Sequence, residues 1–179
     1  MKKSIFLILF TFGISSLSFA QDFSDLDKSP MDAVIVRNKD NSPLVRIIYS
    51  RPQKRGRKIF GNLVPYDEIW RTGANEATEI TFYDNVNFGE KHIMAGTYSL
   101  FTIPGKEKWT IIINEMTNAW GAYNYEKAKD VVRVKTKANQ TAATVEKFSI
   151  TFRPHSEGAH MLMGWDDTYL EIPITNKDL

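Results

Sequence analysis

The sequence contains no cysteine, and this absence excludes several kinds of chemistry. A disulfide, a thiol nucleophile and a lipid-modified cysteine anchor all require a sulfhydryl group. Histidine is also scarce: His92, His155 and His160 match no H-E-x-x-H or comparable metal-binding spacing. We expect His160 to face Asp166 or Asp167. Neither a G-x-S-x-G motif nor a glycine-rich phosphate loop occurs. The sequence therefore predicts no catalytic residue, no metal ion and no cofactor, and it favours a non-enzymatic protein.

A hydrophobic run long enough to span a bilayer is missing as well, since a spanning helix needs about 20 apolar residues. The apolar run at residues 5–14 follows Lys2 and Lys3, and it precedes small residues that end at Ala20. This order is typical of a secretory signal peptide that is cleaved after Ala20. We expect residues 1–20 to be removed, no transmembrane segment to remain, and the protein to be exported to the periplasm or secreted.

Neither sign of charge is in excess. The chain has 23 Lys and Arg residues against 21 Asp and Glu residues, and Lys2 and Lys3 belong to the predicted signal peptide. An exported and formally neutral protein is a poor candidate for nucleic-acid binding. The remaining length of about 160 residues suits one domain. We place this domain at residues 31–179, after a flexible polar lead-in at residues 21–30.

What the sequence does contain is the period-two alternation of β-strands. Residues 78–82 and 146–152 alternate strictly, so that Phe148, Ile150 and Phe152 share one face. Such alternation is typical of half-buried antiparallel strands. Strands are also predicted at residues 33–37, 44–50, 97–103, 108–114, 131–135, 159–165 and 169–174.

Short runs of turn-forming residues separate many of these strands, as they do in β-hairpins. They are Asp40-Asn41-Ser42-Pro43, Asp84-Asn85, Pro104-Gly105-Lys106 and Asp166-Asp167. Only residues 124–129 are predicted to be helical. The pattern predicts an all-β fold, a single antiparallel β-sandwich of about nine strands, with a jelly-roll-like or barrel-like arrangement as the alternative.

Five positive charges fall within residues 51–58. They are Arg51, Lys54, Arg55, Arg57 and Lys58. Clustered basic side chains focus a positive potential, which favours an anion site for a phosphate, an acidic glycan or a lipid headgroup. The alternative is a solvated loop, or an arginine that packs against Asp67 or Glu68.

The stretch PYDEIWRTGANEATE, residues 65–79, has an unusually varied set of side chains beside the plain strand patterns. Gly73 admits backbone conformations that are closed to other residues, so a fixed turn is predicted at residues 71–75. Beside Trp70, this turn would hold the donors and acceptors of three side chains near one aromatic face. They are Arg71, Asn75 and Glu76. This chemistry suits a polar ligand such as a sugar.

The alternative for this stretch is a structural role, in which Arg71 pairs with Glu76 or Glu79 and caps the sheet. A second aromatic group follows at residues 120–125, with the sequence WGAYNY. Its rings either pack on the core as a lid, which is the prediction, or form a binding platform.

Several of these blocks together resemble one known family, the domain-of-unknown-function family 2911. The blocks are GRKIFG at 56–61, LVPY at 63–66, IWRTGANEAT at 69–78, AGTYSLFTIP at 95–104, WT at 109–110 and WG at 120–121. The resemblance extends from about Ser42 to Ile174. It implies an exported bacterial protein, and it supplies no reaction, ligand or catalytic residue.

The leading functional hypothesis is a non-enzymatic binding module for a glycan or another envelope component. It expects a set of partly exposed side chains to converge on one concave patch, namely Trp70, Arg71, Asn75, Glu76, Trp120 and Tyr123. One alternative is a structural or assembly partner of other envelope proteins. The other is a hydrolase that uses Glu76 with a carboxylate or histidine partner.

Overall fold

Two antiparallel sheets face each other in the computed structural model, which describes residues 22–176. The strands are β1 (Met31–Arg37), β2 (Pro43–Ser50), β3 (Thr78–Phe82), β4 (Val86–Phe88), β5 (Lys91–Ile93), β6 (Gly96–Ile103), β7 (Lys108–Asn114), β8 (Asp130–Lys137), β9 (Asn139–His155) and β10 (Gly158–Asn176). The larger sheet has the order β1-β2-β3-β6-β7-β8, and the smaller sheet has the order β5-β4-β10-β9. Because neither sheet closes into a barrel, the predicted antiparallel sandwich is confirmed and the barrel-like alternative is wrong.

The alternation seen in the sequence decides which side chains enter the space between the sheets. In β2, Val45, Ile47 and Tyr49 are buried, and in β9, Phe148 and Ile150 are buried. Side chains of successive strand residues point to opposite faces, so one face of each strand joins the core. The core between the sheets is therefore built from residues that the period-two pattern identifies.

Three details differ from the sequence prediction. β4 and β5 have three residues each, and so short a segment carries little alternation to detect. The helix predicted at residues 124–129 is wrong in extent, because only a 3₁₀ turn at Lys127–Lys129 forms. Asp84 and Asn85 do not close a hairpin: they carry the chain from β3 in the larger sheet to β4 in the smaller one.

β10 turns back on itself at Asp166 and Asp167, where the sequence predicts a turn between two strands. Asp166 has a φ of 57°, a left-handed conformation that ends an extended run. The backbone N–H of Asn176 donates to the Glu157 carbonyl at 2.9 Å, so the two ends of β10 lie side by side. The first half pairs with β9 and the end pairs with β4.

The crossover from β2 to β3, residues 51–77, positions most of the candidate residues. Its beginning lies along β9, where the Lys54 N–H donates to the Glu146 carbonyl at 2.8 Å. Its end lies against β6, where the Trp70 N–H donates to the Thr102 carbonyl at 2.7 Å. The crossover therefore contacts first the smaller sheet and then the larger one. Its side chains lie beside residues of both sheets.

A second apolar cluster lies on the outer face of the larger sheet. It contains the buried residues Phe101 and Ile112, whose strand neighbours Leu100, Ile111 and Ile113 belong to the main core. Partly buried residues of the segment before β3, the end of β6 and the segment after β7 pack on it, namely Ile69, Ile103, Met116, Ala119, Ala122 and Tyr125. The aromatic loop at residues 120–125 is thus fixed over the outer face of this sheet.

The predicted signal peptide, residues 1–20, lies outside the described residues. Within residues 22–176, no helix is long and apolar enough to cross a membrane.

Candidate functional site

The turn at residues 70–78 is held by its own backbone and by threonine hydroxyls. Thr72 is fully buried, and its hydroxyl donates to the Thr102 hydroxyl at 3.1 Å. The Thr78 hydroxyl donates to the Thr72 carbonyl at 2.6 Å, and the Trp70 indole N–H donates to the Gly73 carbonyl at 3.1 Å. A fixed turn is present, as the sequence predicts.

The glycine in this turn has a different role from the predicted one. The left-handed residues are Thr72 and Asn75, each with a φ of 57°, and Gly73 is not among them. A Cβ atom at Gly73 would lie 3.0 Å from the Ser50 carbonyl oxygen. Gly73 therefore suits the close passage of the β2 backbone, against which a Cβ atom would be tightly packed.

The Trp70 ring is half-buried at the edge of an aromatic cluster. It stacks on Trp165, with ring centroids 6.0 Å apart, and makes edge contacts with Phe60, Trp109 and Phe148. Trp109 lies on β7, whereas Phe148 and Trp165 lie on β9 and β10. Trp70 therefore belongs to the contact between the sheets as well as to the surface beside it.

Arg71 is not paired as the structural alternative predicts. Among the described residues, neither Glu76 nor Glu79 forms a salt bridge with it. Glu79 instead accepts a hydrogen bond from the Asn118 N–H at 2.9 Å. The Nε atom of Arg71 is buried and has no hydrogen-bond partner in residues 22–176. The turn is held together by hydrogen bonds, but Arg71 contributes no ion pair to it.

The aromatic loop at residues 120–125 is more exposed than the predicted lid. Trp120 is 62% exposed and Tyr123 is 81% exposed, so the prediction of core or lid packing is wrong for these two rings. It is right for Tyr125, which packs edge-on against Phe101 with centroids 5.2 Å apart. Gly121, with a φ of 70°, lies between Trp120 and Tyr123 in the chain.

Gly121 lets two candidate side chains approach each other. A Cβ atom at this position would lie 2.7 Å from the Tyr123 ring and 3.2 Å from an Nη atom of Arg71. The Gly121 N–H also donates to the Asn75 carbonyl at 3.0 Å, which fixes the loop to the turn at residues 70–78. Tyr123 and Arg71 are therefore neighbours through a glycine that leaves room for both.

A cleft of about 500 Å³ opens beside Trp70, and we call it the Trp70 cleft. It is lined by Ser29, Pro52, Arg57, Leu63, Val64, Pro65, Glu68, Ile69, Trp70, Arg71, Gly73, Ala74, Ala122, Tyr123 and Trp165. Of the six residues predicted to converge, it brings together Trp70, Arg71 and Tyr123. Its volume lies within the ~300–1,000 Å³ of small-molecule sites.

The other three predicted residues lie elsewhere. The Asn75 amide donates to Asp27 in the lead-in at 3.1 Å. Glu76 lines a separate depression of about 220 Å³, together with Glu79. The exposed Trp120 is not part of the lining of the Trp70 cleft. The prediction of one patch formed by all six residues is therefore wrong.

The basic run at residues 51–58 does not form one anion site. Arg51 donates to Asp32 at 2.8 Å, and Lys54 lies 3.5 Å from Asp166, so both charges are paired. Arg55 and Lys58 are exposed. Of these five basic residues, only Arg57 lines the Trp70 cleft, and the sequence analysis did not predict that it lies near Arg71. Trp165 was also missed, because a strand pattern alone does not show which buried ring reaches a surface.

The histidine and carboxylate contacts lie away from the Trp70 cleft. His160 contacts Glu171, which also pairs with Arg153, so the expected Asp166 or Asp167 partner is wrong. Burial would raise the pKa of Glu171, but hydrogen bonds from His160 and Arg153 outweigh it and lower that pKa. Among residues 22–176, no group of three or more acidic or histidine side chains is arranged to hold a metal ion.

Comparison with known proteins adds a family match over most of the chain. A family model described as "Protein of unknown function (DUF2911)" matches residues 29–174, which include the whole Trp70 cleft. No curated protein and no solved structure matches the chain.

Proposed function

The chain belongs to the DUF2911 family, and from the geometry of its cleft we propose that it is a non-enzymatic binding module for a glycan or another component of the cell envelope. The cleft beside Trp70 is the proposed binding site. The family description names no activity, so the proposal is supported by the chemistry of the lining residues.

The observation that carries the proposal is the combination of aromatic and polar groups around one opening. Two aromatic residues, Trp70 and Tyr123, line the cleft together with the charged residues Arg71 and Glu68. Sugar rings present apolar C–H faces and a rim of hydroxyls, so they suit aromatic surfaces bordered by hydrogen-bonding groups. Few sites of a protein offer both kinds of contact in a concave surface.

Rigidity of the lining also supports binding. The Trp70 ring is fixed by four aromatic contacts, and the turn that carries Arg71 is closed by the Thr72 and Thr78 hydrogen bonds. A site that is ordered before the ligand arrives loses less conformational entropy on binding. The Trp70 cleft therefore fits a preformed site.

The two alternatives stay predictions. The depression that Glu76 lines contains Glu79 as a second carboxylate, and no histidine is among its lining residues within the described chain. A role as a partner of other envelope proteins has no feature of comparable detail to support it. We therefore favour the binding module.

The test compares two exposed aromatic residues of the same loop. The purified protein is screened by thermal shift against a panel of envelope glycans and their fragments, with Tyr123→Ala and Trp120→Ala in parallel. We expect at least one glycan to raise the Tm of the wild type and of Trp120→Ala. We expect Tyr123→Ala to bind that glycan about two- to tenfold more weakly, because a stacked aromatic contact contributes about 0.5–1.5 kcal/mol.

Trp120→Ala is the matched control, since it removes an exposed ring that does not line the cleft. Both variants should fold, because substitutions of exposed residues change stability little. A panel without any binding glycan, or equal losses in the two variants, would contradict the proposal.

A further inference from the structure

We propose that the ligand of the Trp70 cleft is an anionic saccharide, a sugar that carries a carboxylate or phosphate group, and that Arg71 and Arg57 bind its charge. This inference rests on the proposed function and adds the charge of the ligand to it.

The first argument is the state of Arg71. Arg71 lines the cleft and an Nη atom of it lies beside Gly121, its Nε–H is buried without an acceptor, and no carboxylate of residues 22–176 forms a salt bridge with it. A buried donor without a partner is unfavourable, and more so when it belongs to a charged group. An anion in the cleft would compensate this charge, since the planar guanidinium matches the oxygens of a carboxylate or phosphate.

The second argument is that Arg57 is oriented by the protein without being neutralised. Its Nε donates to the Lys54 carbonyl at 3.0 Å, and its Nη2 donates to the Gln53 carbonyl at 2.5 Å. No salt bridge joins it to a carboxylate of the described residues. Two backbone carbonyls therefore hold the side chain in place while its positive charge remains available to the cleft.

The third argument is the charge balance of the lining. Arg57 and Arg71 carry positive charges, and Glu68 is the one negative residue among the lining residues within the described chain. A concave surface with apolar walls focuses the field of its charges and raises the local concentration of counter-ions. The cleft therefore favours an anion over a neutral or cationic ligand.

The acidic lead-in does not supply this anion. Asp27 accepts hydrogen bonds from the Asn75 amide at 3.1 Å and from the Ser29 N–H at 2.7 Å. It makes no salt bridge with Arg57 or Arg71 within the described residues. Ser29 is the residue of the lead-in that lines the cleft, so both guanidinium groups remain available to a ligand.

The experiment uses pairs of probes that differ only in charge. Oligosaccharides of galacturonate and glucuronate are compared with their neutral methyl esters, and sugar phosphates are compared with the same sugars without phosphate. Binding to the purified protein is measured by calorimetry, in parallel with Arg71→Gln, Arg57→Gln and Arg55→Gln. Arg55 is the control, because it loses the same charge from the same loop but does not line the cleft.

We expect an anionic probe to bind at least tenfold more tightly than its neutral counterpart, and Arg71→Gln to remove about tenfold or more of that affinity. Arg57→Gln should weaken binding as well, whereas Arg55→Gln should bind like the wild type. The class of the tightest probe, uronate or phosphate, identifies the anionic group. Arg57 is exposed, so its variant tests the inference even if Arg71→Gln does not fold.

Two results would overturn the inference, and they differ in meaning. If neutral sugars bind as tightly as their anionic counterparts and Tyr123→Ala weakens them, the binding module stands and the anionic ligand is wrong. If neither class binds, the proposed function fails together with the inference.

Discussion

At the scale of single residues, the cleft depends on positions at which few other residue types would fit. Gly121 provides the space in which the Tyr123 ring and the Arg71 guanidinium meet, and its left-handed φ would strain any side chain placed there. Thr72 is also left-handed, although it is β-branched, and its buried hydroxyl is satisfied by Thr102. Such strain persists where the surroundings hold it, and it is often found at functional sites.

A buried carboxylate anchors the chain after the aromatic loop. The side chain of Asp130 is 6% exposed, and it accepts hydrogen bonds from Tyr125 at 2.7 Å, Arg133 at 2.5 Å and Asn114 at 2.8 Å. Burial, together with the Asp130 carboxylate, raises the pKa of Tyr125 to about 12. The charge of Asp130 is thus matched by three donors, which is what a buried carboxylate requires.

This network predicts a loss of stability in alkali. The pKa of an unfolded tyrosine is about 10, so the contribution of Tyr125 is complete below about pH 10 and is lost as the pH rises through the folded-state pKa of about 12. We expect Tyr125→Phe to lower the free energy of unfolding at neutral pH by about 1–3 kcal/mol, and to flatten its decline above pH 10. Urea unfolding at a series of pH values measures both effects.

Tyr83→Phe is the control for this prediction, because Tyr83 is exposed and lies outside the network. An alkaline decline that is equally steep in Tyr125→Phe and in the wild type would contradict the assignment.

At the scale of elements, the cleft is formed by two irregular segments that the larger sheet supports from both faces. Residues 51–77 connect β2 to β3 and contact both sheets, and residues 115–126 lie on the outer apolar cluster around Phe101. The two segments are joined by the Ala77 N–H, which donates to the Ala119 carbonyl at 2.8 Å, and by the Gly121 N–H. Loops carry the candidate residues, while the strands fix where those loops meet.

This arrangement predicts a local effect of removing Phe101. We expect Phe101→Ala to lower the free energy of unfolding by about 3–5 kcal/mol, and to increase hydrogen exchange selectively at residues 115–126, including the amide of Gly121. The reason is that Phe101 supports this segment on the outer face, away from the main core. Hydrogen exchange with mass spectrometry follows each segment separately.

Phe88→Ala provides the comparison, because Phe88 is equally buried but belongs to the main core. It should destabilise the protein without a selective effect on residues 115–126. The same exchange pattern in both variants would show that the outer cluster is not a separate support.

At the scale of the whole molecule, the cleft and the core share residues. The aromatic cluster joins Trp109 of the larger sheet to Phe148 and Trp165 of the smaller one, and Trp70 is packed among them. Aromatic side chains contribute large buried areas and favour the edge and offset contacts seen here. The wall of the cleft is therefore also part of what holds the two sheets together.

Loss of Trp70 should consequently affect the entire fold. We expect Trp70→Ala to lower the free energy of unfolding by about 3–5 kcal/mol, with a smaller loss in Trp70→Phe, which keeps an aromatic ring. Denaturant unfolding followed by circular dichroism measures the change. Trp120→Ala is the control and should lie within about 0.5 kcal/mol of the wild type, because its ring is exposed.

Much of the fold could be predicted from short stretches of sequence. The alternation at residues 146–152 places Phe148 and Ile150 in the core, and Asp166 marks the point where β10 turns back. These features depend on neighbours in the chain, which a local pattern records. β4 and β5 were missed because three residues are too few for a pattern.

The candidate site could be predicted only in part. Trp70 and Arg71 stand beside each other in an unusual turn sequence, and the structure places both at one cleft. Arg57 and Trp165 reach the same cleft from distant positions, and nothing in the neighbouring sequence distinguishes Arg57 from Arg55 or Lys58. Asn75 and Glu76 follow Arg71 by only four and five positions, yet Asn75 donates to Asp27 and Glu76 lines a separate depression.

The sequence by itself determined that the protein is a cysteine-free, all-β chain whose alternating strands each turn one face towards a core. It also predicted a fixed turn at residues 71–75. Only the tertiary structure decided which side chains share the Trp70 cleft, because that depends on contacts between residues far apart in the chain. The physical reason is that secondary structure follows from local backbone sterics and periodic burial, whereas a cleft is formed only when the two sheets and two loops pack together.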